Sequence, residues 1–160
     1  MAVRSKEAKR PARSVVPRIR LLQQKSQLRG TCYFELLPGA YQGECWTDRS
    51  VFLSEEAFGY LEPIFKRHAP GFDHYAFQAV SRLTWQKILA ALRALAKTLD
   101  GARTISDLDS HVGFLYRDSR ERISRGFRRN VKDLSRLCRD LIAWLEAELK
   151  VHRVISVLGI

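Results

Sequence analysis

The sequence predicts an α+β fold: a small, mostly antiparallel sheet, built from an N-terminal hairpin and a C-terminal strand, packed on two long amphipathic helices. Three observations carry this expectation. Residues 31–37 alternate Cys32, Phe34 and Leu36 with Thr31, Tyr33 and Glu35, and the turn signal Pro38-Gly39 follows. Two segments, 83–99 and 119–149, keep apolar residues at helical spacing. The chain closes on Val154-Ile155-Ser156-Val157-Leu158-Gly159-Ile160, too short and too β-branched for a helix and suited to a buried strand.

Each element has its own local cause. Residues 41–46 read as the return strand of the hairpin, and Val51–Leu53 as a short third strand. Ser54 is placed to cap a helix, with Glu55 and Glu56 where the helix dipole favours acid. Leu53 and Phe58 stand at the positions of a hydrophobic staple around that cap. This helix runs towards Arg67, kinked or split by Pro63, and Pro70-Gly71 ends it. Residues 73–80 fit either a short helix started by Asp73 or an extended segment.

Over 83–99 the reading is firm. Trp85, Ile88, Leu89, Leu92, Leu95, Ala96 and Leu99 share an arc of about 120°, and Gly101 stands where a terminal glycine belongs. Residues 102–117 read as a connection with a helical turn around 108–115. Residues 119–149 read as one helix of roughly 45 Å, with Gly126 its only weak point.

Composition bounds the rest. The chain has 160 residues, 46% hydrophobic and 10% aromatic, which excludes a fully disordered polymer. No stretch approaches the ~18 uncharged apolar residues of a membrane span. Twenty-eight Lys and Arg against 17 Asp and Glu give a net charge of +11. Residues 1–30 hold nine basic side chains and a single acid, Glu7, and read as a flexible arm, with a short helix allowed from Ile19 to Leu28. Residues 31–160 are expected to form one domain. The basic start is not followed by the apolar core of a secretory leader, so a cytoplasmic location is expected, although organelle transit peptides share the arm's composition. Cys32, Cys45 and Cys138 lack metal-ligand spacing and read as reduced thiols.

The strongest chemical signal is a charged face. Projected at 100° per residue, Arg125, Arg128, Arg129, Lys132, Arg136 and Arg139 fall within about 100° of arc, opposite the apolar stripe. Arg129 with Asp133 and Arg136 with Asp140 are the expected compensating pairs at i, i+4. Such a face is either a solvated surface or the contact for an acidic protein, a nucleic acid or an anionic lipid. Zinc-finger spacing, an RNA-recognition signature and a helix-turn-helix pattern are all missing, which favours nonspecific over sequence-specific phosphate contact. In a hairpin Tyr41 and Trp46 point to opposite faces, so one of them is expected to be exposed as an interface anchor beside Glu44 and Asp48.

Enzymatic signals are thin. Asp107, Asp109 and His111 are the one candidate metal constellation, although turn and capping roles explain the acids equally well. His68, Asp73 and His74 form a second cluster in which an Asp orients an imidazole. No glycine-rich phosphate loop or nucleophile elbow occurs, and no cofactor is expected.

Three stretches carry a family resemblance: Val51-Phe52-Leu53-Ser54 through Leu61-Glu62-Pro63-Ile64-Phe65, then Phe72-Asp73-His74-Tyr75, then Val157-Leu158-Gly159-Ile160. Over residues 45–160 the chain resembles small, compact bacterial single-domain proteins suggested to be immunity partners of toxins. The resemblance implies a non-enzymatic protein that docks on a partner and occludes it, and it transfers no functional residue. Immunity proteins against basic nucleases are expected to be acidic, so here the partner's contact surface is expected to be acidic. A nucleic-acid-associated basic protein using the arm and the 125–139 face is the alternative. A small hydrolase-like enzyme built on Asp107, Asp109 and His111 is a third, weaker reading.

Overall fold

A computed structural model describes residues 19–160. The predicted basic arm falls mostly on residues 1–18, which lie outside the described residues. The order is β1 (Tyr33–Pro38), β2 (Val51–Ser54), α1 (Glu55–His68), β3 (Phe77–Ser81), α2 (Arg82–Gly101), α3 (Ser119–Arg125), α4 (Phe127–Val151) and β4 (Val154–Leu158). The strands form one antiparallel sheet in the order β2-β1-β4-β3, and the α+β class read from the sequence holds.

The sheet has two faces of different character. Phe34, Leu36, Leu53, Val80, Ile155 and Val157 point inward against the helices and belong to the main core. Trp85 of α2 sits at its centre, fully buried, with its indole N–H donated to the Ile155 carbonyl at 3.1 Å. On the outer face the register lines up Phe52, Glu35, Leu158 and Phe77 across all four strands.

That outer row explains why residues 41–46 are not a strand. The buried Glu35 carboxylate accepts the N–H groups of Trp46 (2.6 Å) and Thr47 (3.1 Å) and the Ser50 hydroxyl (2.6 Å). These donors are therefore taken from any sheet ladder. Trp46 has φ 62° and Gly39 and Gly43 lie at φ 85° and 93°, left-handed conformations that a strand does not contain. The hairpin exists, but residues 39–50 are its loop and Val51–Ser54 is its return strand. Tyr41 and Trp46 consequently do not straddle the sheet as expected. Both fold over its outer row, Tyr41 edge-on to Phe77 at 4.9 Å and Trp46 tilted over Phe52 at 6.1 Å.

Ser54 caps α1 through the Ala57 N–H at 3.2 Å, and the stapling residues Leu53 and Phe58 are fully buried. Pro63 lies inside an unbroken helix. A proline there leaves the carbonyl four residues earlier, that of Gly59, without its helical donor. Gly113 packs against this carbonyl so closely that a Cβ would collide with it, and its N–H bonds the next carbonyl, that of Tyr60, at 3.1 Å.

Elsewhere the boundaries shift. The ambiguous 73–80 stretch becomes a turn, in which Asp73 accepts the Tyr75 N–H at 2.9 Å, followed by β3. The expected turn at 108–115 is a 3-10 turn at Ile105–Leu108. Helix α2 ends at Gly101 without a left-handed cap, since Ala102 takes that place at φ −68°. Two residues of the segment read as the arm also pack with the sheet. Leu21 and Leu22 are buried, and Leu22 exchanges two backbone hydrogen bonds with Phe52, at 2.9 and 2.8 Å. The predicted 119–149 helix is two helices. At Gly126 (φ −125°, ψ 44°) the chain leaves helical geometry, and the Asn130 amide donates to the terminal carbonyls of Arg122 and Ile123.

Candidate functional site

The break at Gly126 reorganises the basic face. Arg125 belongs to α3 and pairs with Glu121 at 2.6 Å, so it leaves the α4 stripe. Arg128, Arg129, Lys132, Arg136 and Arg139 remain exposed along α4. Arg139 is tied to Asp100 of α2, whose other oxygen accepts the Ser135 hydroxyl at 2.7 Å. This pairing, first through the Arg139 hydrogen bond and then through Ser135, holds the Asp100 carboxyl below the usual carboxylate range. The expected i, i+4 pairs are not formed. Asp133 instead lies 3.9 Å from Arg136, at i, i+3. Among the described residues, Arg128, Arg129 and Lys132 have no carboxylate within 4.0 Å.

Along one side of this face runs a cavity of about 610 Å³ between α1, α3 and α4. Ile19, Ile123 and Leu137 contribute to its lining, as do Arg20, Arg122, Arg129 and Arg136. Asp133, Asp140, Asn130 and the Glu56–Tyr60 pair complete the lining.

The wall is held by a buried polar network that the sequence reading missed. Glu56 is 6% exposed, and its Oε1 accepts from the Tyr60 hydroxyl (2.9 Å), the Ser119 hydroxyl (3.1 Å), and Arg122 Nε (2.9 Å) and Nη2 (2.6 Å). Arg122 also pairs with Asp118, and its guanidinium lies over the Tyr116 ring at 5.9 Å. Burial, then the neighbouring Glu56 carboxylate, pushes the Tyr60 phenol far above its ordinary range, so it stays a donor. Glu56 reads in sequence as an acid in a first helical turn. Only the tertiary fold brings Arg122, 66 residues on, against it.

The other candidates separate. Asp107 accepts the N–H groups of Arg103 and Thr104, each at 2.9 Å, and Asp109 takes both Arg120 donors, at 2.7 and 2.9 Å. The Asp107, Asp109 and His111 metal constellation therefore does not assemble, and among the described residues no group of three His, Cys, Asp or Glu is arranged to hold a metal ion. His74 turns away from Asp73. Its Nδ1 lies 3.0 Å from Glu62 and its Nε2 3.2 Å from Glu55, while Glu55 also receives the Tyr116 hydroxyl and Glu62 receives Lys66 at 2.9 Å. This chain of side chains clips the 72–76 turn and the 113–117 segment to α1.

Tyr41 is 38% exposed, whereas Trp46 is half-buried between Tyr33 and Phe52. The three cysteines are free thiols. No helix among the described residues is long and apolar enough to cross a membrane. Comparison with protein families, curated proteins and solved structures found no match to this chain.

Proposed function

We propose that this protein is a non-catalytic docking module that holds an acidic protein on the α4 face and acts by occlusion, as the immunity-like resemblance implies. The cavity beside that face carries the reading. A recess lined by Ile19, Ile123 and Leu137 together with Arg20, Arg122, Arg129 and Arg136 supports this reading, since it offers a partner a concave contact rich in fixed positive charge. The exposed cations speed encounter with an acidic partner, and Asp133 and Asp140 in the same lining set its charge register. The Glu56 network fixes the wall before binding, so little order is lost when a partner seats.

The test is capture from nuclease-treated native lysate at low salt, comparing the wild-type chain with Arg129→Glu/Arg136→Glu. Retention of one acidic protein by the wild type and its loss in the variant support the reading. Equal retention by both, or no retained protein, contradicts it.

Phosphate binding to nucleic acid is a second reading, and one observation favours it. Among the described residues, none of the exposed large apolar side chains lies beside Arg128 and Lys132 on α4, which suits phosphates better than the centre of a protein interface. It predicts tight binding of labelled RNA or DNA whose log affinity falls with log salt at about −0.9 per contact, abolished by Arg128→Glu/Lys132→Glu.

A further inference from the structure

We infer that a small pocket between the end of α2 and the first turns of α4 binds a phosphate monoester carried on a compact apolar body. The pocket has a volume of about 260 Å³. Two short rows of α4 side chains line it, each spanning one helical turn: Phe127 with Val131, and Arg128 with Lys132. From the α2 side Leu99 and Ala102 add apolar lining, together with Asp100. Successive α4 residues step by 100°, so both rows face away from Asp133, Arg136 and Asp140, which line the larger cavity. The pocket is therefore a second site, independent of the docking surface.

Its positive charge is uncompensated. Among the described residues neither Arg128 nor Lys132 has a carboxylate within 4.0 Å. Asp100, the acid in the lining, is already committed: one oxygen accepts the Ser135 hydroxyl at 2.7 Å and the other pairs with Arg139. Two cations at i, i+4 repel one another. An anion seated between them replaces that repulsion with two attractions. A phosphate monoester carries a charge of about −1.5 to −2 at neutral pH and so matches both cations, whereas a carboxylate leaves one unmatched.

The apolar body has its own place. Val131 and Leu99 are buried, and Phe127 and Ala102 are half-buried, so they present apolar surface directly beside the cationic row. The Phe127 ring suits an aromatic body in particular, through stacked or edge-on contact. Size sets the other limit. Pockets for drug-sized ligands hold about 300–1,000 Å³, so this one takes a single ring with its phosphate and is too small for a nucleotide.

Titration of the isotope-labelled full chain, followed by amide chemical shifts at about 150 mM salt, tests this with phenyl phosphate, inorganic phosphate and benzyl alcohol. Phenyl phosphate is expected to shift the amides of residues 99–102 and 127–132 saturably, with a Kd of about 0.1–1 mM. Inorganic phosphate lacks the body and benzyl alcohol lacks the charge, so each is expected to bind at least about tenfold more weakly. Arg128→Gln/Lys132→Gln, at two exposed positions, is expected to weaken phenyl phosphate by about tenfold or more. Ala102→Phe fills the pocket and keeps both cations, at a residue whose backbone (φ −68°, ψ 135°) suits any side chain. With an unchanged circular dichroism spectrum, it is expected to abolish phenyl phosphate binding. Any affinity for RNA, which needs the cations alone, is expected to survive it, and this separates the pocket from the nucleic-acid reading. Phenyl phosphate that binds no tighter than inorganic phosphate, shifts confined to the larger cavity, or binding indifferent to both variants overturns the inference.

Discussion

Glu56→Ala is the substitution that most sharply tests how the cavity wall is held. One carboxylate oxygen satisfies four donors from Tyr60, Ser119 and Arg122, and Ser119 is fully buried. Its removal leaves the Tyr60 and Ser119 hydroxyls without this acceptor, leaves Asp118 as the carboxylate still paired with Arg122, and opens a void at the start of α1. Breaking a buried pair from one side costs about 3–5 kcal/mol. The Arg122 side chain keeps 28% of its surface in solvent and stays paired with Asp118, so the charge left behind is partly compensated and the lower end, about 3 kcal/mol, is expected. For a domain of this size each kcal/mol moves the midpoint by about 2–4 °C. Thermal unfolding followed by circular dichroism should therefore fall by roughly 6–12 °C. The double variant Glu56→Leu/Arg122→Met replaces both charges by apolar bulk and is expected to recover most of that loss. A loss under about 1 kcal/mol for Glu56→Ala, or a double variant as unstable as the sum of its parts, would refute the reasoning.

Three further outcomes follow from particular contacts. Backbone N–H groups of Arg103, then of Thr104, hold the Asp107 carboxyl below its ordinary range, so its stabilisation is full above about pH 4 and lost as pH falls through the folded value. Asp107→Asn should thus destabilise at pH 7 in urea titrations, with the gap closing towards pH 2. Burial pushes the Cys138 thiol up to about 12, so a thiol reagent at pH 8 should label the exposed Cys32 at once and reach Cys138 only on unfolding. Gly113→Ala would drive a methyl into the Gly59 carbonyl and against Pro63, with an expected loss of about 1–3 kcal/mol in urea unfolding.

The parts of this fold legible in the sequence are those with a repeating physical cause. Trp85 through Leu99 bury one side of α2 because a 100° step places them there, and Ser54 caps α1 because it precedes two acids and a stapled pair. The C-terminal strand was legible because Val154, Ile155, Val157 and Leu158 form a short run too β-branched to favour a helix. What escaped depends on partners distant in sequence. Glu35 looks like the polar half of an alternating strand, yet its carboxylate organises a loop 11–15 residues away and so removes the strand expected at 41–46. Pro63 lies inside a helix with Gly113, 50 residues on in the chain, packed against the carbonyl it frees, a contact that local sequence does not announce.

The candidate site was half legible for the same reason. Helical periodicity places Arg128, Arg129, Lys132, Arg136 and Arg139 together, but one non-helical residue at Gly126 removes Arg125 from the row. The recess beside them could not be read from any local pattern, because α1, α3 and α4 each contribute to it from separate parts of the chain.

The most direct test of the docking account is site-directed photocrosslinking in nuclease-treated native lysate. One photoreactive residue replaces Arg129 at the cavity rim, and another replaces Ala90 on the exposed side of α2. The account predicts a single acidic protein joined to position 129 and absent from position 90. Adducts only to nucleic acid, no protein adduct at position 129, or the same protein at both positions would contradict it.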